Sequence, residues 1–372
     1  MRQLRPSNRS LPGLSTEAGG WALRFISPTC TSLPPACSGA NPVLDKNQAA
    51  GVRTAVLDSI RQSSREDIGT GRVAHKVGIV TGVGPASGIG TFASRLFARE
   101  GARALYLLDL SDVLPEFTSE LAKTFPDTKI TFVRGDAADE ATVRDIVARA
   151  VKEEGRLDFY FANAGISNVR PKEWGKFDPN SRESQLQALT HGGRRVDMIS
   201  VEEFMEIQRV NVLSGFLALK YAAPAMQDAA PAVGKRIPGG SIVLTASVAG
   251  RLANAGSLPY SASKAAVVSM AQTGAYEYAG YNIRINAICP GLIQTDMTAA
   301  VFAVARANHN EGSTGQINPL LRHGLPVEIA QAALWLVSDD ASYVNGQPIP
   351  VDGGLAASMP YQRKLVKRPA KL

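Results

Sequence analysis

Residues Thr81–Gly90 read TGVGPASGIG, and this glycine-rich stretch decides the fold. The apolar run Val77–Val83 leads into it and the amphipathic segment Gly88–Arg99 follows it, so the glycines form a turn between a predicted strand and a predicted helix. Glycines allow the backbone to turn sharply and to approach a ligand closely, and the free N–H groups of a helix N-terminus bind phosphate. The stretch therefore predicts the first βαβ unit of a dinucleotide-binding sheet.

The same alternation of strand and helix continues along the chain. Further apolar runs predict strands at Ala104–Asp109, Lys129–Arg134, Leu157–Asn163, Ser241–Ala246, Ile283–Ile288 and Pro348–Val351. Amphipathic segments predict helices at Val113–Thr124, Glu140–Lys152, Glu202–Met226, Tyr260–Tyr278 and Pro326–Val337. Seven nearly continuous apolar strands with crossover helices are typical of a parallel sheet that is covered on both faces. The predicted class is therefore α/β, a doubly wound, seven-stranded, Rossmann-like parallel sheet in a single domain with an N-terminal extension.

The composition is that of a globular protein, with 372 residues, 45% of them hydrophobic and 20% charged. The formal charge is +7, but residues 1–44 and 361–372 carry a basic excess and the body between them is close to neutral. A nucleic-acid groove is therefore not expected. No uncharged apolar run is long enough to span a membrane. The three cysteines, Cys30, Cys37 and Cys289, lack the paired spacing of a disulfide scaffold or a zinc site, and no metal site is expected.

We divide the chain into three parts. Residues 1–72, rich in Pro, Ser, Gly and Arg, are predicted to be a largely disordered extension, with one helical pattern at Val52, Val56 and Ile60. A transit peptide and a gene-model artefact are alternative interpretations of this extension. Residues 73–357 form the predicted nucleotide-binding domain, and residues 358–372 form a basic tail. A polar insertion, residues 168–199, leaves the end of the fourth strand and either covers the substrate site or decorates the surface.

The last three residues, Ala370, Lys371 and Leu372, resemble the peroxisomal address Ser-Lys-Leu. They predict a peroxisomal location and recognition by an import receptor. The arginine-rich start of the chain is a competing signal, so the cytoplasm and the mitochondrion stay open as alternatives.

Asp109 closes the second predicted strand, 19 residues after Gly90. A carboxylate at this point accepts hydrogen bonds from a ribose diol and repels a 2′-phosphate, which favours NAD over NADP. An aspartate that only caps the next helix or forms a turn is the alternative, since Ser111 and Asp112 follow.

Tyr260 and Lys264 occur in the segment YSASK, four residues apart, so a helix brings both side chains to one face. A neighbouring ammonium lowers the pKa of a phenol, which otherwise ionises near pH ~10, and suits it for proton exchange. Ser247 ends the preceding strand, where its hydroxyl can reach a ligand, and Asn211 lies within the long predicted helix Glu202–Met226 although Asn is a poor helix former. The four residues together indicate a catalytic site.

From about Lys76 to Ala356 the chain resembles the short-chain dehydrogenase/reductase family in its single-domain form, and more loosely its fungal members. The resemblance rests on a set of motifs in a fixed order: the glycine turn, Asn163–Ala164–Gly165, Asn211, Ser247, Tyr260-x-x-x-Lys264, Pro290–Gly291 and Val351–Asp352–Gly353–Gly354.

The resemblance implies a role for each residue of this set. Tyr260 is expected to be the general acid/base, Ser247 to bind the substrate oxygen, Lys264 to hold the nicotinamide ribose and lower the tyrosine pKa, and Asn211 to anchor a water relay. The cofactor-binding residues are expected to be Gly82, Gly84, Gly88, Ile89, Gly90, Asp109, Asp136, Asn163, Gly165, Tyr260, Lys264, Pro290, Gly291, Ile293 and Thr295. Five residues separate Gly82 from Gly88 where the family usually has three, and three separate Gly84 from Gly88, so which glycine makes the first turn stays open.

The resulting expectation is an NAD-dependent oxidoreductase, with NADP as a possible cofactor, that transfers a hydride to or from a secondary alcohol or ketone. The alternatives are an NADPH-linked 3-oxoacyl reductase and a cofactor-binding sensor without turnover. The resemblance also implies a homodimer or homotetramer. The lid segment, residues 296–324, contains apolar residues that line a partly apolar pocket or simply pack as a helix, and the substrate cannot be read from the sequence.

Overall fold

A computed structural model describes residues 46–63, 69–84, 86–112, 114–169, 194–309 and 317–357, together with positions 181, 183–184, 186–187, 190 and 314–315. The predicted sheet is present and every strand in it is parallel. Its seven strands follow the spatial order β3-β2-β1-β4-β5-β6-β7. They are β1 (Val77–Thr81), β2 (Ala104–Asp109), β3 (Lys129–Arg134), β4 (Phe159–Ala162), β5 (Gly240–Thr245), β6 (Ile283–Pro290) and β7 (Pro348–Val351). This order reverses between β1 and β4, which is where ligands bind in doubly wound sheets.

Helices cover both faces of the sheet. They are α1 (Lys46–Ser63), α2 (Ile89–Arg99), α3 (Leu114–Thr124), α4 (Glu140–Glu154), α5 (Val201–Gln208), α6 (Ser214–Met226), α7 (Leu258–Glu277), α8 (Ala299–Ala307) and α9 (Pro326–Val337). None of these described helices is long and apolar enough to cross a membrane.

Burial on both faces explains why the strand sequences are nearly all apolar. Successive side chains of a strand point to opposite faces, so Ile79 packs into one core cluster and Val80 into the other. The first cluster contains Phe97 and Phe159, whose rings meet edge to face with centroids 5.0 Å apart. The predicted α/β class is confirmed, and strands β2, β3 and β7 have the predicted boundaries.

The predicted continuous helix Glu202–Met226 is wrong in one respect, because it consists of three parts. Between α5 and α6 the residues Arg209–Leu213 form a π-helical turn. A π-helical turn adds one residue to the turn and interrupts the i→i+4 hydrogen bonds, which is common at functional sites. Asn211 lies at its centre and is buried.

Part of the N-terminal extension is ordered against the domain. Helix α1 lies where the four-residue spacing indicated a helix, and its Leu57 and Ile60 pack against the first core cluster. Residues 1–45 and 358–372 lie outside the described residues, as does most of the insertion at 168–199. The disordered extension, the peroxisomal address and the role of the insertion therefore stay predictions.

Candidate active site

Gly82 makes the first turn of the glycine-rich stretch. Its φ is +75°, in the left-handed region that favours glycine. A Cβ on this residue would lie 2.8 Å from the Cα of Ala164, in the loop after β4. Gly88 then caps helix α2 in an extended conformation, and Ile89 and Gly90 are its first residues. The question that the sequence left open between Gly82 and Gly84 is thus answered by the backbone.

Asn163 joins the glycine turn to the neighbouring strands. Its Nδ2 donates to the carbonyl oxygens of Thr81 and Gly82, at 3.2 Å and 3.1 Å, and its Oδ1 accepts from Thr245 Oγ1 at 3.2 Å. The Thr81 hydroxyl in turn accepts from the backbone N–H groups of Asn163 and Ala164. These bonds hold the carboxyl ends of β1, β4 and β5 together, as expected of a site at the topological switch point.

Tyr260, Ser247 and Lys264 come together at this edge of the sheet. Ser247 lies close enough to the Tyr260 phenol to lower its pKa by hydrogen bonding, and the Lys264 Nζ lies 5.7 Å from the centroid of the Tyr260 ring. Lys264 is 3% exposed and Ser247 is 8% exposed. The side chains therefore converge inside the crevice rather than in bulk water.

Burial is the main influence on the pKa of Tyr260 and on the pKa of Lys264. Burial raises the pKa of Tyr260, and the hydrogen bond from Ser247 offsets only part of this rise. Burial lowers the pKa of Lys264 from 10.5 to about 8. The direction for Tyr260 is opposite to the predicted one, because desolvation of the hydroxyl is the largest influence on its pKa.

Asn211 forms hydrogen bonds with the loop after β4 and with helix α7. Its Oδ1 accepts from the Ile166 N–H at 2.8 Å, and its Nδ2 donates to the Ile166 carbonyl at 2.8 Å and to Ser263 Oγ at 2.9 Å. The Ser263 hydroxyl donates to the carbonyl of Tyr260 at 2.7 Å. The amide thus positions the loop after β4 and the first turn of α7.

Asp109 and Asp136, the two aspartates expected to bind the cofactor, have different partners. Asp109 lies beside the glycine turn, where its Oδ2 accepts from the Gly84 N–H at 2.9 Å and its Oδ1 from the Ser111 N–H at 2.8 Å. Asp136 follows β3 and pairs instead with Arg209, with 2.7 Å between Oδ2 and Nη1. Among the described contacts, none joins Asp136 to another predicted site residue.

The segment after β6 runs along the same edge of the sheet. Pro290 ends the strand, and the Gly291 N–H donates to the carbonyl of Val351 at 3.1 Å. Ile293 is buried and pairs with Gly324, while Thr295 caps the turn that opens the lid segment. This segment lies beside the Tyr260 cluster because β5 and β6 are adjacent, with Thr245 opposite Ile288.

A cleft of about 780 Å³ adjoins the glycine turn, with Ser87, Phe92, Thr295, Phe302 and Arg306 in its wall. None of the four candidate catalytic residues is part of this wall. The size of this cleft does not identify the reaction site, because proton exchange requires titratable side chains in contact with the substrate. We therefore place the chemistry at the Tyr260 cluster.

The residues present fit a bound dinucleotide. The buried Lys264 ammonium donates to the Thr245 carbonyl at 2.8 Å, its one hydrogen bond within the described part of the chain. An ammonium has three N–H donors, so two remain for a ligand. Gly165 lies directly beside the Lys264 ammonium, because a Cβ on Gly165 would lie 3.1 Å from the Lys264 Nζ. In the same described ranges, no group of three or more His, Cys, Asp or Glu side chains is placed to hold a metal ion.

The fold and this site define a nucleotide-dependent oxidoreductase, and comparison with known proteins gives its family. Residues 76–305 match the family model described as short chain dehydrogenase. The chain belongs to the short-chain dehydrogenase/reductase family. As members of this family use a nicotinamide cofactor and act on small molecules, it is an NAD(P)-dependent oxidoreductase.

Named relatives cover the same part of the chain. The chain is 35% identical to a 3-oxoacyl-acyl-carrier-protein reductase of Thermotoga maritima over 76% of its own length and 99% of the relative. It is 30% identical to meso-2,3-butanediol dehydrogenase of Serratia marcescens, over 77% of this chain and 97% of the relative. The crystal structure of levodione reductase superposes with a TM-score of 0.63 at 32% identity, covering 77% of this chain and 99% of the other.

Four functional features were missed by the sequence reasoning. They are the π-helical turn, Ser263 as the partner of Asn211, the hydroxyls of Thr81 and Thr245 that join Asn163 to two strands, and the pairing of Arg209 with Asp136. The only signal in the sequence was the unusual position of Asn within a helix.

Proposed function

We propose that the protein is an NAD-dependent dehydrogenase or ketone reductase that interconverts a secondary alcohol and a ketone, with Tyr260 as the general acid/base. The observation that carries this proposal is the convergence of three side chains: Ser247 lies within hydrogen-bonding reach of the Tyr260 phenol, and the buried Lys264 ammonium lies beside the same ring. A phenol held between a hydroxyl and a cation is well suited to exchange a proton with a substrate oxygen.

Each residue contributes one step. The nicotinamide cofactor, when bound, supplies or accepts the hydride at the substrate carbon. In alcohol oxidation the Tyr260 oxygen takes the hydroxyl proton, and in ketone reduction it returns a proton to the carbonyl oxygen. The Ser247 hydroxyl donates a hydrogen bond to the same substrate oxygen and holds it near Tyr260. The Lys264 ammonium uses its remaining donors on ribose hydroxyls, and its charge favours the phenolate.

Asn211 acts as a positioning residue in this proposal. The Asn211 amide forms two hydrogen bonds with the backbone of Ile166 and one with Ser263 Oγ. These bonds hold the first turn of α7, which carries Tyr260, in place. The implied water relay at Asn211 stays a prediction.

Asp109 supports NAD rather than NADP. Its carboxylate is held beside the glycine turn by the Gly84 and Ser111 N–H groups. A fixed carboxylate here accepts hydrogen bonds from ribose hydroxyls and repels a 2′-phosphate. We expect NADH to bind more tightly than NADPH, and fluorescence titration of the two reduced cofactors measures this; tighter binding of NADPH would contradict the preference.

One alternative is favoured by a specific observation. The relative with 35% identity is named as a 3-oxoacyl-acyl-carrier-protein reductase, so reduction of a 3-oxoacyl thioester belongs in the substrate panel. Asp109 argues against the NADPH-linked form of that reaction. A sensor without turnover would bind the cofactor and give no oxidation or reduction with any compound.

The test is a panel of secondary alcohols, ketones and 3-oxoacyl thioesters, followed by the absorbance of the reduced nicotinamide. With a substrate found, Tyr260→Phe should lower kcat by about a hundredfold or more, while the circular dichroism spectrum and NADH binding stay unchanged. Tyr276→Phe is the matched control, because Tyr276 lies on the same helix and is 85% exposed. A Tyr260→Phe enzyme with full activity would refute the proposed role.

A further inference from the structure

A small cavity lies behind the segment that follows β6. Its volume is about 40 Å³, and its lining comes from residues 291–293, from the end of the lid segment, from the start of α9 and from residues 351–353. Two backbone hydrogen bonds close the lid segment directly beside it: the Gly324 N–H donates to the Leu292 carbonyl at 2.9 Å and the Gln294 N–H to the Gly324 carbonyl at 3.0 Å. The cavity is therefore at the base of the lid segment.

Asn318 presents an unpaired acceptor in this lining. Its Nδ2 donates to the carbonyl oxygens of Gly315 and Arg322, both at 2.7 Å, and this pair of acceptors fixes the orientation of the amide. The side chain is 7% exposed. Its Oδ1 is buried and has no hydrogen-bond partner in the described part of the chain. A buried amide oxygen left in this state is unfavourable, so it points to a missing donor.

His323 presents a second unpaired acceptor. Its Nε2 is buried and, among the residues that the structure describes, has no partner either. The ring also forms a backbone hydrogen bond with Thr314, and burial lowers the pKa of the imidazole, which favours its neutral form. A neutral imidazole that donates through Nδ1 carries its lone pair on Nε2.

The available space is sufficient for water. A cavity needs roughly 10–15 Å³ of space open to a water-sized probe to hold a water molecule, and this cavity offers about 40 Å³. Gly353 keeps the space in front of the amide open, because a Cβ there would lie 2.7 Å from Asn318 Oδ1. The charged side chains in the lining have partners within the protein. Arg322 forms an ion pair with Glu328, and the Asp352 carboxylate accepts hydrogen bonds from the Gly354 and Ala356 N–H groups. Two neutral acceptors without a free carboxylate suit water better than a cation.

We propose that one water molecule is built into this cavity and donates one hydrogen to Asn318 Oδ1 and the other to His323 Nε2. The water joins the end of the lid segment to the sheet behind residues 291–293. It is a structural ligand of the lid base, independent of the catalytic residues named above.

A high-resolution crystal structure of the full chain tests the water directly. We expect one density peak at about 2.8 Å from both acceptors. An empty cavity, a rotated Asn318 amide, or a peak at about 2.4 Å that disappears when divalent cations are removed would each overturn the proposal.

A second test depends on the sign of a stability change. Val351 lines the cavity, and Val351→Ile adds one methylene that competes with the water for the same space. If the cavity holds the water, the variant loses it and leaves two acceptors unpaired, so the melting temperature falls although the cavity is filled. If the cavity is dry, the added methylene improves packing, and an equal or higher melting temperature would refute the water site. Val80→Ile, at a fully buried position of the core, is the control for the destabilisation caused by crowding alone.

Discussion

Asn211 Nδ2 donates a hydrogen bond of 2.9 Å to Ser263 Oγ, and this bond joins the π-helical turn to the helix that carries Tyr260. Ser263 in turn contacts Tyr260, because its hydroxyl donates a hydrogen bond of 2.7 Å to the Tyr260 backbone carbonyl. The position of the candidate acid/base therefore depends on a residue three positions further along helix α7, which is itself fully buried.

Ser263→Ala should reduce turnover without abolishing it. The substitution removes the acceptor of Asn211 Nδ2 and the donor to the Tyr260 carbonyl, so we expect kcat to fall roughly tenfold through loss of orientation. Stability should fall by about 1–3 kcal/mol because a buried donor is left unpaired. Steady-state kinetics and urea denaturation measure the two effects. Ser261→Ala, two positions away, is the control, and equal behaviour of the two variants would contradict the positioning role.

Gly82→Ala should abolish cofactor binding. The alanine would have to adopt φ +75° and its Cβ would lie 2.8 Å from backbone atoms of Ala164, so the turn must move. Gly280→Ala is a close control, because Gly280 has φ +87° and nothing lies within 4 Å of a Cβ at that position. Both variants carry about 1–2 kcal/mol of backbone strain, but only the first should lose NADH binding in a fluorescence titration. Retention of NADH affinity in Gly82→Ala would be the contrary result.

The pH dependence of stability should reveal the buried ammonium of Lys264. Burial lowers its pKa from 10.5 in the unfolded chain to about 8 in the folded protein. Between these values the unfolded chain binds a proton that the folded protein does not, so this group makes the free energy of unfolding rise as pH increases from 8 to 10.5. Urea denaturation across this range should give a steeper rise for the wild type than for Lys264→Met. Equal slopes would show that the lysine titrates normally.

Glu100 should stabilise the connection between the extension and the domain. Burial by itself would raise its pKa, but hydrogen bonds from Arg72 and Thr70 outweigh it and lower the pKa from 4.5 to about 2. The depressed value means that the carboxylate stabilises the fold above pH 4.5 and that this contribution is lost as pH falls towards 2.

Glu100→Gln should therefore cost about 3 kcal/mol of unfolding free energy at pH 7, by linkage from this pKa difference. The difference from the wild type should shrink as the pH is lowered towards 2, and denaturant titrations at pH 7 and at low pH measure it. Glu116→Gln, at the exposed first turn of α3, is the control. A cost that does not change with pH would indicate that the contribution of Glu100 is not electrostatic.

The strands and the motif residues were predictable because local chemistry sets them. Apolar residues on both faces of a strand require a sheet buried on both sides, and this held for Val77–Thr81 and Ala104–Asp109. Pro259 lies in the first turn of α7, where a proline is tolerated, and that helix begins at Leu258 although the sequence placed its start at Tyr260. The error is small because the ends of helices depend on a few local bonds.

The partners of the site residues were not predictable in the same way. Asp136 and Arg209 lie 73 positions apart in the sequence and pair only because the end of β3 and the π-helical turn meet in space. The raised pKa of Tyr260 depends on how deeply its hydroxyl is buried, which no residue spacing encodes.

The sequence by itself determined the sheet, the glycine turn and the four residues that make the candidate site, because periodicity and residue type act over a few positions. The tertiary structure decided that Gly82 makes the first turn, that Asn211 holds Ser263, and that Asn318 and His323, which line one small cavity, each keep a buried acceptor without a partner among the described residues. These facts depend on which distant segments come into contact, and burial changes the energy of every polar group at such a contact.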